Sequence, residues 1–459
     1  MSALALCGCA AIPHQDLSHP RTAQSYATAQ SFAAPAAAWP GDQWWRAYGD
    51  AQLDQLIDEA LVGSPDIAVA KARLDKARAS VSAERASLFP TLQAEGQVGE
   101  TKQSYNAGIP PAFVPKGYNS FGQVTLNFSW ELDFWGKNRA SVAAAASEAR
   151  ASQADLAEAR LVLSAAIASA YADLARLWAE HDVAARAVQS RQETLDLVQR
   201  RVTDGLDTHG ELSQARAGPA SARADLDAID EQIVLTKNEI AALMGAGPDR
   251  GASIARQGAE SLKAFGLPVT LAADLVGRRP DLTAARWRAE AASSRIRVAK
   301  AQFYPNINLI ALAGYQSLGL SKLFAAGSDI GQVGPAVTLP IFEGGRLRAN
   351  LRGARADYET AVASYDQTLT QALKDVADAA ASERALSARL KESSDALAAN
   401  ENAYRIARLR YDGGLANYQS VLLAEDAVLL SRRVVVDLQA RAFTLDVQLI
   451  RAVGGGYQT

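Results

Sequence analysis

Two copies of one structural unit make up the chain, and this duplication restricts its fold more than any other feature. The motif SPDI at 64–67 corresponds to RPDL at 279–282, and an Ala/Arg-rich helical segment follows each. These segments end at matching points, LFP at 88–90 and FYP at 303–305. Since a strand-like segment comes next in both halves, each copy is predicted to run helix, strand, strand, long helix, turn, helix.

The long helices carry a regular seven-residue pattern. Mostly apolar residues recur at alternating spacings of three and four from Leu163 to Val202, with His181 and Arg191 as exceptions. The second copy repeats this spacing from Ala372 to Tyr411, with Glu383, Ser393 and Asn400 as exceptions. A heptad pattern sustained over this length predicts coiled-coil packing. A helix over 140–203 would extend roughly 95 Å at 1.5 Å per residue, which is far longer than an ordinary globular domain requires.

Four segments alternate between apolar and polar residues, as strands with one buried or lipid-facing side do. The clearest lies at 123–133, and the others lie at 92–98, 306–315 and 332–341. Each has about the length of a tilted membrane-spanning strand. Four strands cannot close a barrel, for which about eight are needed, and lipid does not tolerate open sheet edges. Several chains must therefore pool their strands in a cyclic oligomer.

Composition excludes several other classes of protein. The 47 basic and 50 acidic residues nearly balance, and no basic cluster indicates a nucleic-acid partner. No uninterrupted apolar run of about 18 residues occurs, so we expect no transmembrane helix. The four histidines form no catalytic or metal-binding set, and phosphate-binding and nucleophile motifs are missing from the sequence. We therefore predict neither enzymatic activity nor a metal or other cofactor.

The first residues are typical of a lipoprotein signal. In the sequence LCGC at 6–9, Gly8 occupies the cleavage position, and Cys9 would receive a diacylglycerol thioether and an N-acyl chain. Residues 1–8 are predicted to be a partial signal peptide, because they are few and lack Lys and Arg. Residues 9–42 would then form a lipidated arm. The alternative is that Cys7 and Cys9 form a redox pair or half of a metal site.

Several stretches resemble the outer-membrane factor (TolC-type) family, in particular its lipoprotein branch of efflux channels. They are WW at 44–45 with YGD at 48–50, the two Pro-Asp repeats, WELDFWGKNR, LPIFEGGRLRANL and RYDGGLANYQSVLLAE. The resemblance covers nearly the whole chain and implies a membrane α+β fold. Three chains would form one 12-stranded outer-membrane β-barrel, continuous with a long periplasmic α-helical barrel.

The same resemblance implies how the chain divides into domains. Residues 43–63, 246–278 and 453–459 would form an equatorial domain around the helical barrel. The helical barrel itself would comprise residues 64–88, 138–245, 279–303 and 346–452, and the barrel strands would lie within 89–137 and 304–345.

The function implied by the resemblance is passive conduction of small toxic compounds or drugs across the outer membrane. The partners would be a periplasmic adapter and an inner-membrane transporter, with a proton-driven antiporter favoured over an ABC-type pump. An iris-like movement of the helical tip would open the channel. Two alternatives are a duct for type I peptide or protein secretion and a periplasmic coiled-coil scaffold. The scaffold would leave the apolar side of residues 124–132 facing water.

The candidate functional residues lie in the two tip turns, at 201–212 and 410–421, and in the residues directly after the second turn, up to Asp426. The family pattern implies adapter contacts at Arg201, Gly205, Arg410 and Gly414, although each Arg could instead be a solvated cation at a helix end. A pore constriction is expected at Gln419 and Leu423, where Leu423 replaces an acid that many relatives carry. An acidic tip that favours cations, or simply a charged surface turn, is expected from Asp204, Asp207, Glu211, Asp412, Glu425 and Asp426.

Overall fold

The structure is a computed structural model that describes residues 16–28, 30–32, 36–256, 267–268 and 278–458 of the 459-residue chain. Cys9 and most of the predicted equatorial stretch after residue 256 lie outside the described residues. The chain divides into two compact units. The sheet unit comprises Met1–Pro20, Arg73–Ser152 and Ala285–Tyr365, and the helical unit comprises Arg21–Ala72, Gln153–Ala284 and Asp366–Thr459.

Helices of matching length confirm the internal duplication. In chain order they are α1 (Ala51–Gly63), α2 (Pro65–Ala86), α3 (Lys137–Thr203), α4 (His209–Leu243), α5 (Pro248–Ala252), α6 (Pro280–Ala301), α7 (Arg346–Asp412) and α8 (Tyr418–Ala452). Helices α2 and α6 have 22 residues each, α3 and α7 have 67, and α4 and α8 have 35. The three pairs of corresponding helices therefore have equal lengths.

One part of α3 has the length and composition of a membrane-crossing helix, but 61% of that part is buried inside the protein. A core helix packed against its neighbours has the same character.

The sheet unit contains a four-stranded antiparallel sheet. Its strands are β1 (Thr91–Thr101), β2 (Asn119–Glu131), β3 (Asn306–Leu318) and β4 (Asp329–Thr338), and they are arranged in the order β1-β2-β3-β4. Strand β4 ends three residues before the predicted boundary, since Pro340 has no N–H with which to continue a ladder. Among the described residues, the outer edges of β1 and β4 have no strand partner in this sheet.

Strand register places one apolar row from each of the four strands on the same side of the sheet, while Phe121, Ile310, Leu312 and Ile330 lie on the other side. Leu92 lies opposite Phe128, which lies opposite Ala311, and Ala311 lies opposite Val333. The other side of the sheet is more polar, and on it Gln97, Gln123 and Gln316 are neighbours in one row. Much of the apolar side is exposed, including Leu92, Leu126, Val333 and Val337. The alternation predicted from the sequence therefore becomes a continuous apolar face that no other part of the described chain covers.

The helical unit has its main hydrophobic core where α1 packs against α3 and the end of α8. Trp44 and Trp45 are buried in this core with Leu56, Ile167 and Ile450. The motif around Tyr48 supplies the polar connections: Tyr48 donates a 2.5 Å hydrogen bond to Asp446, and Tyr171 donates a 2.7 Å hydrogen bond to Asp50. Asp50 also accepts from the backbone N–H groups of Gln52 and Leu53 and so caps α1. The motif that carried the family resemblance is therefore part of the core.

Candidate functional site: the helical tip

Each tip turn reverses the chain at a glycine with left-handed backbone geometry. Gly205 has φ 73° and Gly414 has φ 71°, a region in which other residues are strained. A Cβ at either position would meet nothing within 4 Å among the described residues. The glycines are thus needed for the turn itself, and the surface above them is open. Leu206 and Leu415, which follow them, are both exposed, and the sequence analysis did not select them.

The helices that leave the two turns begin with side-chain caps. The Thr208 hydroxyl accepts from the Glu211 backbone N–H at 3.2 Å, and the Glu211 carboxylate accepts from the Thr208 backbone N–H at 2.8 Å. At the second turn, the Asn417 side chain accepts from the Ser420 backbone N–H. Glu211, predicted as part of an acidic tip, therefore takes part in a capping box that stabilises the start of α4.

Asp207 connects the two helical hairpins, of which one is formed by α3 and α4 and the other by α7 and α8. Its carboxylate forms a 3.0 Å ion pair with Arg201 and accepts a short hydrogen bond from the phenol of Tyr411, at the end of α7. Arg201 also donates to the Tyr411 carbonyl oxygen at 3.1 Å, and its guanidinium lies 4.5 Å from the centre of the Tyr411 ring. Burial and the neighbouring carboxylate raise the pKa of the Tyr411 phenol. We refer to Arg201, Asp207 and Tyr411 as the tip latch.

The equivalent arginines of the two repeats have different surroundings. The Arg201 side chain is only 13% exposed because the tip latch encloses it, whereas Arg410 lies on the surface. Of the two arginines predicted to contact an adapter, only Arg410 is therefore freely accessible in this conformation. Tyr411 was not selected from the sequence, since its neighbour Asp207 is 204 residues away.

The six predicted tip acids fall into two groups. Asp204, Asp412 and Asp426 are exposed, and Asp426 forms a 2.7 Å ion pair with Arg191. Asp207 is enclosed in the tip latch, Glu211 is half-buried in its capping box, and Glu425 is only 4% exposed. The structure thus places part of this acidic set inside the helix packing, so that fewer carboxylates reach the surface than the sequence suggested.

Burial raises the pKa of Glu425, while the Ser190 hydroxyl and the charge of Arg191 act in the opposite direction. Its Oε1 atom has no hydrogen-bond partner among the described residues. A desolvated carboxylate in this state favours its protonated form.

Both residues predicted to form the constriction point away from the buried side of α8. Gln419 is exposed and accepts a 3.3 Å hydrogen bond from Gln214, and the Leu423 side chain is 61% exposed. Leu430 and Val434 follow at seven and eleven residues, and both are exposed. These spacings place the side chains on one face of the helix. The first half of α8 therefore carries an exposed apolar stripe.

In the part of the chain that the structure describes, no group of three or more His, Cys, Asp or Glu side chains could hold a metal ion. At the tip, two helical hairpins pack against each other, and α8 carries a stripe of exposed apolar side chains.

Comparison with known proteins agrees with this architecture. Residues 56–246 and 271–455 match the family model described as "Outer membrane efflux protein". Fusaric acid resistance protein FusA of Burkholderia cepacia is 37% identical over 328 residues, which is 70% of this chain and 61% of that relative. Multidrug resistance outer membrane protein MdtP of Escherichia coli (strain K12) is 31% identical over 470 residues, covering 98% of this chain and 94% of the relative.

A solved structure shows the same fold. The outer membrane protein VceC of Vibrio cholerae superposes with a TM-score of 0.85 at 46% sequence identity, covering 92% of this chain and all of that one (100%). With its exposed apolar sheet face, its paired long helices and its match over most of the length, the chain belongs to the outer membrane efflux protein family and is an outer-membrane efflux channel.

Proposed function

We propose that three copies of this chain form one outer-membrane duct that conducts small toxic organic compounds outward, supplied by a periplasmic adapter and an inner-membrane pump. The observation that carries this proposal is the sheet. Its apolar face is exposed and its outer strands β1 and β4 lack partners among the described residues. In lipid, unpaired backbone groups cost several kcal/mol each, so β4 of one chain must pair with β1 of the next.

Three chains supply 12 strands, which exceeds the minimum of about eight for a closed barrel and leaves room for a lumen. The polar row that contains Gln97, Gln123 and Gln316 would line that lumen, and the row that contains Leu92 and Val333 would face lipid. Native mass spectrometry of the detergent-extracted protein tests this stoichiometry. We expect a mass of three chains that heat converts to one, whereas a folded monomer in detergent would contradict the proposal.

The class of cargo is supported by the relatives. Two of them are named for resistance to fusaric acid and to multiple drugs. We propose small organic toxicants for this chain as well, and an inner-membrane pump of the proton-driven antiporter type. Deletion of the gene should lower the minimal inhibitory concentrations of such compounds, and the intact gene should restore them. Secretion of a polypeptide lost in the deletion strain, with no change in drug susceptibility, would favour the alternative duct.

We propose that the tip latch holds the closed conformation and that an iris-like separation of the two hairpins opens the duct. The latch joins the end of α3 to the end of α7 through a single carboxylate, Asp207. A joint of this kind has two discrete arrangements, bonded and separated, as a gate requires.

The adapter is proposed to contact the open surface above Gly205 and Gly414, including Leu206, Leu415 and Arg410. These residues are exposed and lie at corresponding places in the two repeats. A photo-crosslinking amino acid at position 206 or 415 should yield an adduct with the adapter in cells, while one at position 389, which lies well away from both turns along α7, should not.

Cys9 is proposed to carry the lipid anchor, through a thioether and an N-acyl chain. Mass spectrometry of the N-terminal peptide should show a triacylated cysteine, and Cys9→Ala should abolish this modification. An unmodified Cys9 thiol in the mature protein would contradict the proposal.

A further inference from the structure

Glu425 lies inside the helix packing of the tip, although acidic side chains usually face solvent. It is only 4% exposed, and it lies between two buried residues of the same helix, Val421 four residues before it and Val428 three residues after it. This spacing places Glu425 on the seam by which α8 packs against its neighbours. Packing alone does not account for an ionisable side chain at a position that apolar residues occupy elsewhere along the seam.

The corresponding residue of the first repeat is a surface residue. Counted from the turn glycines Gly205 and Gly414, Arg216 has the same place in α4 as Glu425 has in α8. Arg216 is exposed, and the buried residue beside it is Ala215. The buried carboxylate is therefore specific to the second hairpin and does not follow from the duplicated fold.

The charged groups that act on Glu425 come from three helices. On α3, the Ser190 hydroxyl forms a hydrogen bond with the carboxylate, and Arg191 supplies positive charge. On α7, Arg408 supplies a second positive charge, and on α8 the adjacent Asp426 supplies a negative one. The carboxylate therefore lies where α3, α7 and α8 meet.

Both arginines are bound to other carboxylates. Arg191 forms a 2.7 Å ion pair with Asp426, and Arg408 lies 3.5 Å from the carboxylate of Glu193. Oε1 of Glu425 has no hydrogen-bond partner among the described residues. An ionised carboxylate in a protein interior is stable only when its oxygens are well paired, so this packing suits the neutral acid better than the anion.

Further neighbours in this region are phenols and a glycine, none of them charged at neutral pH. Burial and the charge of Glu425 raise the pKa of the Tyr418 phenol. The Tyr404 hydroxyl of α7 exchanges a 3.0 Å hydrogen bond with Ser190, and Gly218 of α4 packs against α3 in the same region. These neighbours exclude water from Glu425 without neutralising its charge.

The proton on Glu425 is therefore coupled to the helix packing. In the closed packing, burial raises the pKa of its carboxyl group above the ordinary value of 4.5. Separation of the hairpins would hydrate the group and return its pKa towards that value. Because the closed form binds the proton more tightly, protonation stabilises it at low pH, and this stabilisation is lost as pH rises through the raised pKa.

We propose that Glu425 is a proton-dependent lock of the duct: the neutral acid lets α8 pack tightly against α3 and α7, and release of its proton to water loosens this packing and makes opening easier. This inference rests on gating by the tip, which is part of the proposed function. The lock is separate from the tip latch, since Glu425 contacts none of its three residues through a described hydrogen bond or ion pair. A duct held closed more firmly in acid limits leakage into the periplasm when the surroundings acidify.

Single-channel recording in planar bilayers tests the lock. The open probability of the wild-type channel should be at least about threefold higher at pH 7.5 than at pH 4.5, since a pKa difference of half a unit already changes the equilibrium by that factor. Glu425→Gln resembles the protonated acid in shape and charge, so it should keep the low open probability at both pH values. An equal rise in wild type and Glu425→Gln would overturn the proposal.

Glu401→Gln is the matched control. Glu401 lies on α7 and pairs with Arg432 of α8 at 2.7 Å, but its side chain is 44% exposed. An exposed carboxylate has nearly the same pKa in both forms of the tip, so this variant should keep the pH dependence of the wild type. Loss of the pH dependence in Glu401→Gln as well would show that burial of Glu425 is not its cause and would overturn the proposal.

Ser190→Ala tests the direction of the effect. The Ser190 hydroxyl favours the ionised form of Glu425. Its removal should therefore move the midpoint of the pH dependence to higher pH. A midpoint that stays in place or moves to lower pH would show that the titrating group is not Glu425.

Infrared difference spectroscopy between the two pH values detects the acid directly. The wild type should show the band of a neutral carboxylic acid at low pH, and this band should be missing from Glu425→Gln but present in Glu401→Gln. The same band in all three proteins would contradict titration of Glu425.

These measurements separate the lock from the duct. A wild-type channel that conducts with the same open probability at both pH values would refute the lock and leave the duct intact. A reconstituted protein that conducts at neither pH would refute both. If Glu425→Gln does not assemble, the midpoint of Ser190→Ala still decides, because it does not depend on that variant.

Discussion

Asp207 accepts a hydrogen bond from the phenol of Tyr411, so that one carboxylate in the first tip turn holds the end of the second long helix. The pair is separated by 204 residues of chain, and Arg201 completes it from the α3 side. Because the phenol and carboxylate are largely shielded from water, losing one partner costs more than at an exposed site.

Removal of the Tyr411 hydroxyl should loosen the tip. Tyr411→Phe leaves the Asp207 carboxylate with one partner fewer, which we expect to destabilise the closed joint by about 1–3 kcal/mol. Single-channel conductance in planar bilayers should rise, and cells should become more sensitive to vancomycin. Tyr404→Phe is the control, since Tyr404 exchanges a hydrogen bond with Ser190 outside the latch. Equal conductance in both variants would contradict the role of the latch.

The two equivalent arginines should respond differently to mutation. Arg201→Ala removes the ion pair with Asp207 and should increase conductance in the same assay, whereas Arg410→Ala should leave the isolated channel unchanged because Arg410 is exposed. In cells, Arg410→Ala should instead reduce export if the adapter binds there. If Arg201→Ala has the same low conductance as the wild-type channel, the ion pair does not restrain the tip.

Shortening the side chain at the predicted constriction should widen it. Leu423→Ala shortens an exposed apolar side chain on α8 close to the second tip turn. We expect higher single-channel conductance or greater vancomycin leak. Leu430→Ala changes the same kind of residue one heptad farther along the stripe. If permeability is unchanged by Leu423→Ala, or rises equally in both variants, Leu423 is not the narrowest point.

Stability should depend on pH through Glu158 in α3. Burial and the nearby Asp281 charge raise its pKa from 4.5 to about 7, while Arg279 and Arg451 act in the opposite direction. A carboxyl group with a raised pKa binds its proton more tightly in the folded state. Its contribution to stability therefore falls as pH rises from about 4.5 to about 7 and stays lower above that.

Thermal unfolding of wild type and Glu158→Gln checks this dependence. The amide resembles the protonated acid, so the variant should gain thermal stability relative to wild type at pH 8 more than at pH 5. A difference between the two proteins that is the same at both pH values would show that Glu158 does not titrate in this range.

Replacement of Gly314 should impair the sheet. A Cβ at this position in β3 would overlap the Val124 carbonyl oxygen of β2 and press on Thr125, which is fully buried. We expect Gly314→Ala to lower the yield of heat-modifiable oligomer. Gly334→Ala in β4 is the matched control, because a Cβ there meets nothing within 4 Å among the described residues. Wild-type yield for both variants would contradict this close approach.

Much of the fold was predictable because its signals are local. Heptad spacing specified the long helices, and alternation specified both the strands and the apolar side of the sheet, since side-chain direction follows directly from backbone periodicity. The duplication allowed each half to support the interpretation of the other, and the equal helix lengths confirm it. Leu423 is exposed on α8, and its role in a constriction stays a prediction.

The candidate site was less predictable, because it depends on which surfaces meet. The repeat relates Arg201 to Arg410, yet only Arg201 finds a carboxylate beside it. Asp207 and Glu425 are acidic residues of the kind expected at a surface, but both are buried between packed helices. No sequence pattern connected Tyr411 to Asp207, and their contact became visible only when the two hairpins were brought together.

By itself, the sequence of this protein determined the secondary structure, the twofold repeat and the polarity of each face, because these follow from interactions between residues close along the chain. The tertiary structure decided which charged side chains are enclosed and which are exposed. The physical reason is that two nearly equivalent repeats pack against different neighbours, and the free energy of a charge depends on those neighbours and on the water they exclude.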